Sequence, residues 1–172
     1  PRFCTIDKSP ALRNAFEYVF ENTKMGVCTF HAHRAIQTQV LKIAPESTLV
    51  NAHSFNFRIS KLGLGIIDAF KLVKLSRSEE EFAERKRTFL YDKLTSLVTN
   101  PAHSAAMQGY FIRYWFCDLW EKHWVNYMLN NGYMDHVEWG TNNYAESMFG
   151  KFKGLKINRR DGIPTNMAKR AS

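Results

Sequence analysis

Cysteine is scarce in this chain: three residues in 172, at Cys4, Cys28 and Cys117, odd in number and widely spread. That excludes a disulfide framework and fits a reducing compartment. No apolar run approaches the ~18 residues of a membrane span, and Pro1-Arg2-Phe3-Cys4 does not have the pattern of a secretory signal. No internal repeat or low-complexity segment is visible. An initiator methionine is missing as well, so a chain opening on Pro1 reads as a piece of something longer.

What the chain does have is apolar mass. Hydrophobic residues make up 45% of it, with 13 Phe, 7 Tyr and 4 Trp, enough to build the core of one globular domain. The net charge is +8, and it is local. Residues 151–172 carry seven basic side chains against the single acid Asp161, so this tail holds +6 and everything before it +2. Such a segment is either a solvated tail or an electrostatic footprint for a phosphate backbone.

Phe3-Cys4-Thr5-Ile6 reads as a short buried strand that delivers Asp7 at its C-terminal end. Ser9-Pro10 then starts a helix, with serine as the cap and proline at the first helical position. Leu12, Ala15, Phe16, Val19 and Phe20 form its expected packing stripe. Asp7 is therefore either a turn aspartate or a functional carboxylate at a strand end, where ligands of open α/β sheets collect. Met25-Gly26-Val27-Cys28 predicts a second strand, followed by a helix from about Phe30 to Ile43 that stops before Pro45. This order argues for a parallel, right-handed unit. Cys28 and His31 within it have a spacing that zinc could use, but no second Cys/His pair completes four ligands. A packed cysteine beside a hydrogen-bonded histidine is the competing reading.

From Phe55 onward the pattern is helical. Ile59, Leu62, Ile66, Phe70 and Val73 recur at helical spacing. Ser78-Glu79-Glu80-Glu81 predicts a capping box, and Phe82, Phe89, Leu90, Leu94 and Leu97 the buried face after it. Asn100-Pro101 opens a further helix expected to run to about Leu129. Its Phe111, Trp115, Phe116, Leu119, Trp120 and Trp124 are too much apolar surface for one stripe. Core packing and a base-stacking platform both remain open for them. Near the C-terminus, Thr141 through Phe149 reads as a capped helix start that holds Glu146 either in a capping box or as a fixed functional carboxylate.

Taken together, four features resemble Mutator-like element (MULE) transposases over nearly the whole chain. They are Asp7 with Pro10-Ala11-Leu12 and Ala15, then Cys28-Thr29-Phe30-His31, a long helical stretch, and finally Trp139 with Thr141-Asn142-Asn143-Tyr144-Ala145-Glu146-Ser147. The resemblance implies an α/β fold: a partial RNase H-like core of two short parallel strands with helices, carrying a large all-α insertion. It implies a core segment over residues 1–45, the insertion over 46–138, and a final catalytic helix with basic tail over 139–172. Asp7 would match the family's second catalytic aspartate, Glu146 its glutamate, and Cys28 and His31 its Cys-x-x-His signature. Asp7 and Glu146 would hold Mg2+ or Mn2+. Lys151, Lys153, Lys156, Arg159 and Arg160 would meet DNA, namely transposon terminal inverted repeats and target DNA. A nuclear location, no membrane and room for a homo-oligomer go with this reading.

One departure stands out. The family's first aspartate lies on an earlier strand, and Asp68, Asp92, Asp118 and Asp135 all fall in the helical region or its loops. The expectation is a C-terminal part of a catalytic domain, inactive alone, whose two strands leave an exposed apolar edge. The alternative function is a domesticated, non-catalytic DNA-binding or regulatory protein.

Overall fold

In the computed structural model, residues 3–21, 24–50 and 58–129 are described, all within a unit that spans Pro1–Trp139. The expectations for Glu146 and for the basic residues Lys151, Lys153, Lys156, Arg159 and Arg160 lie outside the described residues. Strand β1 (Phe3–Ile6) pairs in parallel with β2 (Lys24–Val27), Cys4 opposite Met25 and Ile6 opposite Val27. Helix α1 (Pro10–Val19) connects them, and α2 (Thr29–Ile43) follows β2. A two-residue hairpin, β3 (Leu49–Val50) against β4 (Ile59–Ser60), leads to α3 (Lys61–Lys74). Next come α4 (Glu79–Arg87), a π-helical segment (Thr88–Lys93), α5 (Leu94–Leu97) and α6 (Pro101–Tyr114). The short helices α7 (Asp118–Glu121) and α8 (Asn126–Leu129) complete the described chain. The result is a mostly helical α/β arrangement with one parallel strand pair.

Local chemistry explains the helix starts. Ser9, Ser60, Ser78 and Asn100 each accept a hydrogen bond from a first-turn backbone N–H, and Pro10 and Pro101 occupy positions where no donor is needed. The box at Ser78 is only half reciprocal: Glu81 accepts from the Arg77 N–H at 2.6 Å, one residue before the cap.

Phe70 of α3 is the hub of the core. Its ring stacks on Trp124 at 4.4 Å and meets Phe111, Trp115 and Phe89 at 5.3, 5.4 and 5.7 Å. All five side chains are at most 5% exposed, so these aromatics fill the interior and offer no open stacking platform.

Two sequence expectations need correction. Asn100 to Leu129 is not one helix. Trp115 and Phe116 both turn inward, and the chain leaves the helix there, with the Phe116 N–H donating to the Phe111 carbonyl at 2.9 Å. A single helix could not have aimed Trp115, Phe116, Trp120 and Trp124 at the same centre. The stripe on α1 is not buried either. Leu12, Val19 and Phe20 are exposed, because a two-stranded pair is too narrow to cover them among the described residues. Polar contacts tether α1 instead: Arg13 donates to the Leu119 carbonyl at 3.3 Å, and Glu17 lies 3.7 Å from the Lys122 ammonium.

Nor does the outer edge of β2 stay open. The Val27 N–H donates to the His123 carbonyl at 2.7 Å, and His123 Nδ1 lies 3.1 Å from the Met25 carbonyl oxygen, so Nδ1 carries the proton and donates. The segment after α7 thus occupies the place of a neighbouring strand.

Between α2 and α3 sits a polar lock. Gln37, 1% exposed, accepts from the Ser60 N–H at 2.9 Å and lies 3.2 Å from the Ser60 hydroxyl. Gly63 makes room for it, since a Cβ there would lie 2.2 Å from the Gln37 side-chain oxygen. Gly63→Ala should therefore push the amide off Ser60 and cost about 1–3 kcal/mol, read as a lower urea midpoint. An unchanged midpoint would show that the lock is not tight.

His33 on α2 adds a pH dependence. Burial first, then the ammonium groups of Lys71 and Lys74, hold its imidazole down at about 4 against an ordinary 6.5. The unfolded chain takes up this proton near pH 6.5 and the folded chain only near 4, so acidification through that window favours unfolding. His33→Gln should flatten the fall in Tm between pH 6.5 and 4 relative to the parent chain; parallel Tm–pH curves would contradict the assignment.

Candidate functional site

The strand pair ends in two loops that bring three donor side chains together. Asp7 follows β1 directly, and its carbonyl accepts from the Ser9 N–H at 2.7 Å, which tightens the turn into α1. Cys28 follows β2; its N–H donates to the Ile6 carbonyl at 2.9 Å, so it continues the parallel ladder by one rung. From there the chain enters α2, and His31 falls in the first helical turn, facing back toward β1.

His31 Nδ1 lies 2.8 Å from Asp7 Oδ1. Donor atoms of Asp7, Cys28 and His31 all lie within 4.8 Å of one another, the one such cluster of three among the described residues. Their exposures differ. The Asp7 side chain is 49% exposed and His31 25%, whereas Cys28 is fully buried. The cluster thus has a wet carboxylate face and a dry sulfur floor.

The Cys28-to-His31 turn is held from two sides. Lys74 at the end of α3 donates to the Thr29 hydroxyl at 3.1 Å, and the Phe30 ring meets the His31 ring edge-on at 5.5 Å. All three residues singled out here by sequence, Asp7, Cys28 and His31, are therefore brought together; Glu146 is the fourth and lies outside the described residues.

Lys8 is a positioning residue that sequence reasoning missed. Its ammonium sits over the rings of Trp115, Trp120 and Tyr114, at 4.9, 5.1 and 5.4 Å from their centres. Cation–π attraction at three faces ties the residue after Asp7 to the helical part of the chain. Burial pulls the Lys8 pKa below its ordinary value, with Cys117 acting in the opposite direction. No local pattern announces this contact, because the rings come from more than a hundred positions downstream.

Comparison with protein-family models, curated proteins and solved structures gives no match for this chain. Its function therefore has to be argued from the residues.

The chemistry of the donor set can be weighed directly. Magnesium favours hard oxygen ligands and retains several waters, and the half-exposed Asp7 carboxylate suits it. The buried Cys28 sulfur does not. A mixed oxygen, nitrogen and sulfur set suits zinc better, although zinc needs a further ligand.

Lys8→Met keeps most of the buried stem and removes the charge from the three rings. The expected loss is about 1–2 kcal/mol, measured by urea denaturation. Unaltered stability would mean that the rings hold the stem and not the ammonium.

Proposed function

We propose that this chain is part of the catalytic domain of a metal-dependent DNA transposase of the Mutator-like kind, which cuts and joins DNA strands on an RNase H-like core. The observation that carries the proposal is the 2.8 Å contact between Asp7 and His31 at the carboxyl ends of two parallel strands. Strand ends of this kind gather ligands in open α/β sheets.

In this reading Asp7 would offer a carboxylate oxygen to a divalent ion, and Glu146, which matches the family's glutamate in sequence, would offer another. A third carboxylate belongs on a preceding strand. His31 fixes the orientation of the Asp7 carboxylate, and Cys28 anchors the turn that carries His31. Divalent ions held by these carboxylates would supply activation of the attacking water or 3′-hydroxyl and stabilisation of the leaving oxygen. The basic residues Lys151, Lys153, Lys156, Arg159 and Arg160 would supply phosphate attraction in this reading.

A zinc reading competes at the same residues, favoured by the clustering of the Asp7, Cys28 and His31 donors within 4.8 Å. In that reading the metal stabilises an interaction module and no strand is cut. A domesticated protein that binds DNA without nicking is the other alternative.

The full-length protein carrying this chain should nick supercoiled plasmid with Mg2+ and not with EDTA. Asp7→Asn and Glu146→Gln should abolish nicking, and His31→Ala should lower it about 10- to 100-fold, as loss of a residue that orients a ligand does. Full activity in Asp7→Asn would sink the assignment. DNA binding without nicking selects the domesticated reading. One equivalent of zinc in the purified chain, lost in Cys28→Ser, selects the zinc module.

A further inference from the structure

A groove of about 860 Å³ runs between α2 and α6 and opens at His31. Its α2 wall is one helical stripe, from His31 through Arg34 to Lys42; its α6 wall carries Tyr110, Arg113 and Tyr114. Among the described residues no acidic side chain lines it. Arg34, Lys42 and Arg113 are exposed, and none has an ion-pair partner among the described residues. Three cations in one concave surface, with no acidic partner among the described residues, call for a polyanion.

Spacing and aromatics narrow the polyanion's identity. Arg34 and Lys42 are eight residues apart on one helix, or ~12 Å at 1.5 Å per residue, a span that reaches more than one backbone phosphate of a strand. Tyr114 is half exposed beside them. Tyr110 is held in place by its hydroxyl, which accepts from Trp115 Nε1 at 3.0 Å. A basic track flanked by fixed aromatic faces is how single strands are held without sequence reading: phosphates against cations, bases against rings. The space beside Gly109 is open, since a Cβ there would meet no atom within 4 Å.

We infer that the α2–α6 groove binds a single DNA strand, with backbone phosphates on Arg34, Lys42 and Arg113 and a base on Tyr114, and that it feeds this strand toward Asp7. The identity of the polyanion rests on the transposase reading, whereas binding itself needs neither metal nor cleavage. Its lining residues all precede the basic segment after residue 150 in sequence.

The test is fluorescence anisotropy of the 172-residue chain with labelled oligothymidylate, in EDTA, across a salt series. Neutralising Arg34, Lys42 and Arg113 together to Ala should weaken binding and reduce the slope of log K against log salt by about 2, at ~0.7 per single-strand phosphate contact. Tyr114→Ala should weaken binding about tenfold with the slope unchanged, in line with the loss of one stacked base. Gly109→Glu, which adds a carboxylate to open space, should weaken binding at an unaltered Tm. Parent-like affinity and slope in the triple-Ala and Gly109→Glu variants would overturn the inference. So would binding of the parent chain to phosphatidylglycerol vesicles but not to the oligonucleotide. Groove-dependent binding alongside a full-length protein that fails to nick plasmid would sink the transposase reading and leave the groove standing.

Discussion

The stack of Phe70 on Trp124 is the contact from which the rest of the structure follows. It holds the residues after α7 against α3, with Phe89, Phe111 and Trp115 closing around the same ring. Once Trp124 is fixed, its neighbour His123 is fixed too, and His123 supplies both the carbonyl and the ring nitrogen that satisfy the edge of β2. Trp115 and Trp120, packed in the same region, provide two of the three faces around Lys8. Apolar packing in the helical part thus sets the position of the strand ends, and through them of Asp7 and His31.

This dependence explains why a pair of four-residue strands can hold a site at all. Two short strands are marginal by themselves. Here one edge is met by backbone and side-chain groups from His123, and the first turn beyond β1 is tied down through Lys8. Polar groups are costly to leave unpaired in an interior, and two buried sets are matched: Gln37 with Ser60, and His123 Nδ1 with the Met25 carbonyl. Each set joins elements that apolar packing alone would leave free to slide.

Much of the local architecture was legible in the sequence, because its signals are local. Ser9-Pro10, Ser78 and Asn100-Pro101 cap helices where their chemistry says they should. The two strands and α2 fall within a residue or so of their expected bounds. Asp7, Cys28 and His31 could be singled out since each follows a strand or opens a helix, and the parallel register brings them together. The break at Trp115, the exposed face of α1, the cover over β2, the cage around Lys8 and the groove between α2 and α6 were not legible. All of them depend on residues far apart in sequence, and no window of periodicity contains both partners. Glu146 and the basic residues from Lys151 to Arg160 stay where sequence alone leaves them, outside the described residues.

The bond between His123 and Met25 spans 98 positions, and that separation has a kinetic meaning. The helical contacts around α3, α4 and α6 close short loops, whereas edge cover for β2 must close a loop of about a hundred residues, which costs more entropy and comes after the short ones. The pairing of β1 with β2, Ile6 opposite Val27, closes a far shorter loop, so Asp7, Cys28 and His31 can meet before the cover from His123 arrives. The late contact is the one that seals the edge of β2, not the one that gathers the cluster.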